Sequence, residues 1–323
     1  MHQRTATKPL SPLPKPGDLL DDRFLIQHLV ARTGVSAVYR AIDTRSYSLV
    51  AIKLVAPQQS SSGIAYDDAL LMLWREVTLL RDLRRLDVPH LISVRTGIRH
   101  SYLATTWIDG QTLNEYLEQR KRSITELQML ALRLCLLVAQ LHQGPAAIIH
   151  ADLKPNNILI RPDGSPVLID FGLARHTNTS LYGLQQIGTL GYASPEQLRG
   201  EVLTLRSDVY SLGRILAELF GPYRTRPQLR LTWGVIQQAM AHNPYDRYAN
   251  ATQLQQALAA SWQRPTYQAA RSFSMSAFVH LFTAKLLYWA APICLLLFVL
   301  IWALTLVLPN TPPRIVTPLP VGG

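Results

Sequence analysis

Short apolar stretches separated by polar turns cover the first third of the chain. These stretches are rich in Val, Ile, Leu and Tyr and are bounded by turn-forming residues, so they predict β-strands. The predicted strands are residues 24–30, 35–42, 48–55, 91–98 and 102–107. Longer apolar stretches predict helices at residues 65–83, 111–120 and 124–143, and a further helix that starts near residue 231. The pattern therefore indicates a strand-rich part followed by a helical part.

The pattern changes after residue 261. Residues 263–285 contain three basic and no acidic side chains, and residues 286–308 contain no charged side chain at all. As a helix, the uncharged run would span about 34 Å, which is enough to cross a bilayer and too long for an ordinary core helix. We predict a basic juxtamembrane linker, a single transmembrane helix at 286–308 and a short Pro-rich external tail at 309–323. The basic residues before the helix indicate a cell-membrane protein whose main domain is cytoplasmic.

The net formal charge of +11 over 323 residues raises the question of a polyanionic partner. Nucleic acid is not expected, because the basic residues are scattered and show no aromatic interleaving. An anionic membrane surface is the better match. The two cysteines, Cys135 and Cys294, lie inside apolar helical runs, which argues against a disulfide framework. Residues 1–22 hold several prolines and no long apolar run, so we expect a flexible leader.

Chemistry-bearing side chains are concentrated in two neighbouring segments. The segment 150–159 reads His-Ala-Asp-Leu-Lys-Pro-Asn-Asn-Ile-Leu and places Asp152, Lys154 and Asn157 on one loop ahead of an apolar run. After a Pro-Asp-Gly turn, Asp170 begins an Asp-Phe-Gly sequence. Two acids and one amide on adjacent strand ends can hold a divalent metal and orient a hydroxyl for attack on a phosphate.

Two further residues precede this pair at a characteristic interval. Residues 50–53 read Val-Ala-Ile-Lys on a predicted strand, and Glu76 follows Lys53 by 23 residues on a predicted helix. Glu76 is favoured over Asp67 and Asp68 as the partner of Lys53. In this order the motifs resemble those of protein kinases, in particular the Hanks-type Ser/Thr kinases of bacteria.

The resemblance implies a two-lobed α+β kinase fold at residues 23–262, with a β-rich first lobe and a helical second lobe. It also implies ATP as phosphoryl donor with Mg²⁺, or alternatively Mn²⁺, and protein substrates with Ser or Thr acceptors. Asp152 would be the catalytic base and Lys154 would stabilise the γ-phosphoryl group. Asn157 and Asp170 would bind the metal, and Lys53, paired with Glu76, would reach the α- and β-phosphates.

The resemblance assigns a nucleotide site to the small lobe. A turn over the phosphates would be formed by Val30, Ala31, Thr33, Gly34, Ser36 and Val38. Ala51 would lie over the adenine and Thr105 beside it as gatekeeper. Thr106, Trp107 and Ile108 would offer backbone hydrogen bonds.

An activation segment and a structural pair complete the expected kinase motifs. Candidate phosphorylation sites are Thr177, Thr179 and Ser180, and Thr189 would contact Asp152 and Lys154. The sequence Ser-Pro-Glu ending at Glu196 stands for the usual Ala-Pro-Glu, and Arg247 is the predicted buried partner of that glutamate. Asp208 matches the buried aspartate at the start of a large-lobe helix.

Three departures from the family pattern bear on activity. Ala151 replaces the arginine that normally receives an activation-loop phosphate, so we expect a weaker dependence on Thr177, Thr179 and Ser180. The first turn is poor in glycine, and the segment between Phe220 and the helix near residue 231 is short. The alternatives left open are a membrane-tethered pseudokinase and a small-molecule kinase. A homodimer through the spanning helix is also left open.

Overall fold

The computed structural model describes residues 13–32, 36–55, 66–97, 100–143, 147–177 and 188–263. By its internal contacts the chain divides into two compact units, residues 1–263 and 264–323. The described residues all belong to the first unit. The predicted linker, spanning helix and tail (263–285, 286–308 and 309–323) lie outside them, apart from Gln263 itself.

The strand-rich part, here called the small lobe, is one antiparallel six-stranded sheet in the order β1-β2-β3-β4-β6-β5. Its strands are β1 (Leu19–Leu20), β2 (Phe24–Arg32), β3 (Ser36–Asp43), β4 (Ser48–Val55), β5 (Leu91–Arg95) and β6 (Ser101–Thr106). Alternate residues of β3 are buried, as expected for a sheet with one covered face. Each predicted strand is present, with ends displaced by three residues at most.

The short strand β1 corrects the predicted boundary of the leader. Leu19 and Leu20 pair with Leu25 and Phe24 of β2, and Leu20 is buried in the small-lobe core. These two residues were assigned to a flexible leader because a proline-rich stretch precedes them. Their apolar side chains extend the sheet instead, so the folded part begins before residue 22.

Most helices lie in the rest of the described chain, residues 107–263, here called the large lobe. Helix α1 (Tyr66–Asp82) belongs to the small lobe, where it packs beside β4, β5 and β6. The large-lobe helices are α2 (Leu113–Glu118), α3 (Ile124–Leu141), α4 (Pro195–Leu198), α5 (Leu205–Phe220), α6 (Arg230–Ala239) and α7 (Ala251–Trp262). Helix α3 packs against α5 and α7 and forms the centre of the main core.

The helix predicted at residues 111–120 is shorter than expected. Gln111 and Thr112 form the strand β7, and the Thr112 side chain then caps α2 in a capping box with Glu115. Short strands β8 (Ile148–Ile149), β9 (Ile158–Ile160), β10 (Pro166–Leu168) and β11 (Arg175–His176) complete two small sheets. These are β10-β9-β7 and β11-β8.

Helix α3 is, within the described ranges, the one helix long and apolar enough to cross a membrane by length and composition. Its apolar side chains are nevertheless engaged in the core, where nine of its residues are buried. Ser123 and Glu126 form a capping box that fixes its start. These contacts make α3 the central helix of the large lobe.

Candidate active site

The loop at residues 150–157 connects β8 to β9 and is held in place by hydrogen bonds to a side chain of α5. The fully buried carboxylate of Asp208 accepts hydrogen bonds from the backbone N–H groups of His150 at 2.8 Å and Ala151 at 2.9 Å. Ala151 has a left-handed backbone with φ of 64°, which costs a non-glycine residue roughly 1–2 kcal/mol. The two bonds to Asp208 keep the loop in this conformation.

His142, just beyond the end of α3, supports the same carboxylate and was missed by the sequence reasoning. Its Nε2 lies 3.1 Å from Asp208 Oδ2, and its Nδ1 accepts a hydrogen bond from the Ala251 N–H at 3.2 Å. Because Nδ1 is an acceptor, Nε2 carries the proton and donates to Asp208. Burial alone would raise the pKa of Asp208, but these hydrogen bonds lower it overall. His142 lies between Gln140 and Gln143 at the end of a strongly apolar helix, and no sequence signal separates it from these polar neighbours.

The carboxylate of Asp152 lies at the centre of a dense hydrogen-bond network. Its Oδ2 accepts from Lys154 Nζ and from Asn157 Nδ2, both at 2.8 Å, and its Oδ1 accepts from the Thr189 hydroxyl at 2.8 Å. Lys154 Nζ also donates to the Thr189 hydroxyl at 2.8 Å. The expected contact of Thr189 with both residues is therefore present. The network fixes the direction in which Asp152 faces.

A second cluster joins the two lobes around Lys53. Its Nζ lies 2.7 Å from Glu76 Oε2 on α1 and 2.5 Å from Asp170 Oδ1. The Phe171 N–H donates to Glu76 Oε1 at 3.3 Å. Of the three acids considered as the partner of Lys53, Glu76 is the one in contact. Burial raises the pKa of Glu76 more than the Lys53 charge lowers it.

Asp170 is held in an unusual backbone conformation next to Lys53. Its φ of 65° is left-handed, and its Oδ1 accepts from the Gly172 N–H at 3.3 Å. A Cβ on Gly172 would come within 3.3 Å of that carboxylate oxygen, so glycine fits the tight turn. Burial would raise the pKa of Asp170, but the Lys53 ammonium and the backbone bond lower it to about 2. Asp170 is therefore an anion at neutral pH.

Asn157 and Asp170 have the chemistry of a site for a hard divalent cation. Asn157 Nδ2 donates to Asp152, which leaves the carbonyl Oδ1 as its metal-binding atom. The Ile169 N–H donates to the backbone carbonyl of Asn157 at 3.0 Å. This bond links the segment that leads into Asp170 to the loop that carries Asn157. Carboxylate and amide oxygens are the ligands that Mg²⁺ prefers, usually with waters and phosphate oxygens. Among the described residues there is no cluster of three or more His, Cys, Asp or Glu side chains that could hold a metal ion.

The predicted nucleotide residues of the small lobe flank this cluster on the sheet. Val38 lies opposite Lys53 across β3 and β4, and Ala51 lies opposite Thr105 across β4 and β6. Four residues predicted for the turn lie on β2 and β3, namely Val30, Ala31, Ser36 and Val38. The other two, Thr33 and Gly34, lie outside the described residues. Thr105 is buried, as expected of a side chain at the back of a pocket.

The segment predicted to offer backbone hydrogen bonds is partly occupied by the protein's own bonds. The Thr106 N–H donates to the His90 carbonyl at 2.9 Å, and the Trp107 N–H donates to the Leu49 carbonyl at 3.2 Å. The Thr106 and Trp107 N–H groups are thus used within the protein, and backbone hydrogen bonds from residues 106–108 to a nucleotide stay a prediction. The Ile108 N–H has no backbone acceptor among the described residues and is the donor that fits a ligand.

The candidate phosphorylation sites fall at the edge of the described structure. The Thr177 N–H donates to the Ala147 carbonyl at 2.9 Å just after β11. Thr179 and Ser180 lie outside the described residues. Burial and the charge of Arg75 lower the pKa of nearby Arg175 to about 10.

Glu196 and Arg247 form the expected buried ion pair. Arg247 Nη1 and Nη2 lie 2.7 and 2.8 Å from the two Glu196 oxygens, and the Ser207 hydroxyl donates to the first of these at 2.8 Å. The remaining Arg247 donors reach backbone carbonyls of His242, Ala241 and Arg206. Such a bidentate and fully hydrogen-bonded pair is the arrangement in which burial is tolerated.

Gln197 links this structural pair to the reactive loop and was also missed. Its Nε2 donates to the Ala151 carbonyl at 2.6 Å, and the side chain is buried. It follows Glu196 directly in sequence. No sequence signal separates this glutamine from an ordinary helix residue, since its partner is a backbone atom of a distant loop.

Together, these groups can fix a hydroxyl, a metal and a polyphosphate near one another. Asp152 is a hydrogen-bonded carboxylate that can accept a proton, with the Lys154 ammonium beside it to offset developing negative charge. Lys53, shared by two carboxylates, is a cation that can turn to phosphate oxygens. This combination fits phosphoryl transfer.

Comparison with known proteins gives matches over most of the chain. The model of the protein kinase domain matches residues 27–272. The chain is 35% identical over 269 residues to the serine/threonine-protein kinase PknL of Mycobacterium tuberculosis, covering 72% of this chain and 64% of that protein. It is 28% identical over 277 residues to the probable serine/threonine-protein kinase PknB of Bifidobacterium longum, covering 74% and 39%. The chain thus spans less than two thirds of the length of these relatives.

Proposed function

Because the chain belongs to the protein kinase domain family, we propose that it transfers the γ-phosphoryl group of ATP to Ser and Thr hydroxyls of proteins. The observation that carries this proposal is the network of Asp152, Lys154, Asn157 and Thr189. It combines a proton acceptor and a cation at one point. The similarity to serine/threonine-protein kinases over 72% of the chain supports the choice of acceptor.

In this proposal Asp152 orients the substrate hydroxyl and accepts its proton as the new O–P bond forms. The bond between the γ-phosphorus and the bridging oxygen of ATP breaks, and ADP leaves. Lys154 offsets the negative charge on the transferring group, and Thr189 holds both side chains in position. Since Asp152 is already fixed by three hydrogen bonds, little reorganisation is needed when the hydroxyl arrives. Lys154 with Thr189 is the feature that favours Ser or Thr over Tyr acceptors, by resemblance to the family.

The nucleotide is proposed to bind between the small-lobe sheet and the reactive loop. Lys53 would leave Asp170 to contact the α- and β-phosphates while keeping Glu76 as its partner. Asn157 Oδ1 and Asp170 would hold Mg²⁺, which would neutralise part of the phosphate charge when bound. The Ile108 N–H would donate a hydrogen bond to the edge of the adenine ring. Ala51 and Thr105 would line the same pocket.

The test is phosphoryl transfer by the full-length chain in detergent, with radiolabelled ATP and a generic basic protein as acceptor. Replacing Asp152→Ala should lower transfer by about 10²–10⁴-fold, the usual contribution of a positioned base. Asp163→Ala is the matched control, because that carboxylate is exposed in the β9–β10 turn and bonds only Ser165. Transfer that is absent from the parent chain, or equal in the parent and the Asp152 variant, would overturn the proposal.

A pseudokinase that binds partners without transfer is the second candidate. Ala151 and the glycine-poor turn at residues 30–38 favour it. Against it stand the contacts of Lys53 with Glu76 and Asp170, which a chain without transfer activity has no need to retain. The Asp152 experiment separates the two functions directly.

We further propose that residues 286–308 anchor the domain to the cell membrane with the kinase on the cytoplasmic side. The support is the uncharged run itself and the basic residues that precede it. The layout of leader, kinase domain, linker, span and tail, and a homodimer through the span, belong to the same proposal. Extraction of the full chain from membranes by alkaline carbonate, without detergent, would contradict a spanning segment.

A further inference from the structure

We propose that a basic surface of the large lobe, formed by Lys121, Arg224, Arg226 and Arg230, docks on the anionic headgroups of a lipid bilayer. The inference rests on the membrane anchor proposed above. It adds a contact made by the folded domain itself, so that the kinase lies against the membrane in one orientation.

The basic surface combines two segments that are far apart in sequence and adjacent in the fold. Lys121 follows α2, and the three arginines follow α5. Lys121 Nζ lies 5.4 Å from the centre of the Tyr223 ring, and the Tyr223 hydroxyl donates to the Arg122 carbonyl. These contacts place Lys121 beside the segment that carries the three arginines.

These charges are exposed and not neutralised by nearby acids. All four side chains belong to exposed residues, and residues 219–245 contain no Asp or Glu. No ion pair involves any of the four within the part of the chain that the structure describes. The neighbouring Arg120, in contrast, pairs with Glu126. Arginines without acidic partners are expected where the partner is supplied from outside.

Apolar side chains lie among the arginines. Leu231 is 63% exposed and follows Arg230 directly. Arg224 Cζ lies 5.4 Å from the centre of the Trp233 ring, so the aromatic ring is near the basic surface as well. An exposed leucine and a half-buried tryptophan beside arginines are typical of segments that lie in a bilayer interface. This composition favours a lipid surface over an acidic protein or a nucleic acid.

The basic surface adjoins the place where the chain leaves the domain. The turn Pro227–Leu229 packs against α7, and Trp262 at the end of α7 donates from Nε1 to the Thr232 hydroxyl at 2.9 Å. Residues 264–285, which follow, carry three basic and no acidic side chains. The sequence that follows the domain is therefore basic, as the basic surface is. Each basic residue strengthens such docking by about fivefold, so Arg224, Arg226 and Arg230 together contribute about 100-fold.

The experiment places the full-length chain in nanodiscs of phosphatidylcholine alone or with phosphatidylserine. Hydrogen–deuterium exchange of the peptide 221–233 is then measured. We expect exchange to slow about tenfold in the anionic discs and to recover at high salt, which screens the attraction. The triple variant Arg224→Gln, Arg226→Gln, Arg230→Gln should lose this protection.

The matched control is Arg45→Gln, Arg84→Gln, Arg85→Gln, which removes three exposed charges from the small lobe and should keep the protection. Equal exchange in both kinds of disc, or protection that persists in the Arg224 triple variant, would overturn the proposal. Stronger protection by polyglutamate or single-stranded RNA in detergent than by anionic discs would also overturn it, in favour of a soluble polyanion. A chain that fails to co-elute with nanodiscs would instead count against the anchor.

Discussion

Two clusters of oppositely charged side chains in this molecule have similar partners and different surroundings. At Glu196 and Arg247 the side chains are 3% and 0% exposed, and every donor of the guanidinium has an acceptor. At Lys53 the ammonium is 20% exposed and is shared between Glu76 and the half-exposed Asp170. The first cluster is closed and can do nothing except hold the fold. The second is open on one side, so its cation can exchange one partner for a ligand.

The largest effect is expected from opening the closed cluster. Arg247→Ala should destabilise the domain by about 3–5 kcal/mol, because Glu196 would remain buried without its cation. Chemical denaturation measures this loss. Arg226→Ala, on the surface, is the matched control and should change stability little.

The double variant Glu196→Gln, Arg247→Met tests whether the loss comes from the orphaned charge. It should recover part of the stability, since no buried charge is left. An unchanged free energy of unfolding for Arg247→Ala would contradict the closed character of the pair.

The open cluster should respond in activity more than in stability. Lys53→Met should lower phosphoryl transfer by about 10²–10³-fold, the usual effect of removing one group that stabilises the transition-state charge. Its partly exposed contact with Asp170 should contribute no more than about 1 kcal/mol to folding. Lys121→Met, outside the reactive cluster, is the control for transfer assayed in detergent. Retained transfer in Lys53→Met, or a loss of stability as large as that of Arg247→Ala, would contradict the difference between the open and the closed cluster.

The contributions of Glu196 and Glu76 to folding stability should depend on pH in opposite directions. Burial would raise the pKa of Glu196, but hydrogen bonds from Arg247 and Ser207 lower it below its ordinary 4.5. Its contribution to stability is therefore present above that value and is lost as the pH falls below it. The pKa of Glu76 is raised above 4.5, chiefly by burial. Its contribution is therefore fully present at low pH and decreases as the pH rises through the raised value.

Urea denaturation between about pH 3 and pH 7 measures both effects, each limited to about 1.4 kcal/mol per pH unit for one proton. Glu196→Gln should flatten the acid side of the stability curve, and Glu76→Gln should flatten the neutral side. If both substitutions changed the pH dependence of the free energy of unfolding in the same direction, the predicted contrast between the two carboxylates would be wrong.

The smallest effect is expected at the activation segment, because Ala151 replaces the arginine that normally receives its phosphate. Replacing Thr177, Thr179 and Ser180 together by alanine should leave most of the transfer activity, because the usual arginine that binds an activation-loop phosphate is absent. Initial rates of parent and variant decide this. Complete loss of activity would contradict the expectation and would direct attention to Arg175.

Much of the fold could be predicted because its signals are local. The strand patterns and the ordered motifs around Lys53, Asp152 and Asp170 each lie within a short stretch of sequence. The predicted protein kinase family and two-lobed fold are confirmed by the match over residues 27–272. The predicted roles of individual site residues stay predictions.

What escaped prediction depends on contacts between distant segments. Leu19 and Leu20 looked like part of a leader because pairing with β2 is a tertiary event. The use of the Thr106 and Trp107 N–H groups within the protein was also not predicted, because their acceptors, the His90 and Leu49 carbonyls, lie far away in sequence. Gln197 likewise reaches a backbone carbonyl 46 residues away.

The contacts of Asp208 make the reactive loop part of the folding core. The same buried carboxylate receives the N–H groups of His150 and Ala151 and the ring of His142, and it lies on a helix packed at the centre of the large lobe. The loop therefore cannot open without disrupting α5, α3 and the start of α7. Proteins open in cooperative units of this kind, so we infer that the catalytic loop opens only with the large lobe as a whole. This loop, although it carries the chemistry of an active site, would thus have the slow hydrogen exchange of a core strand.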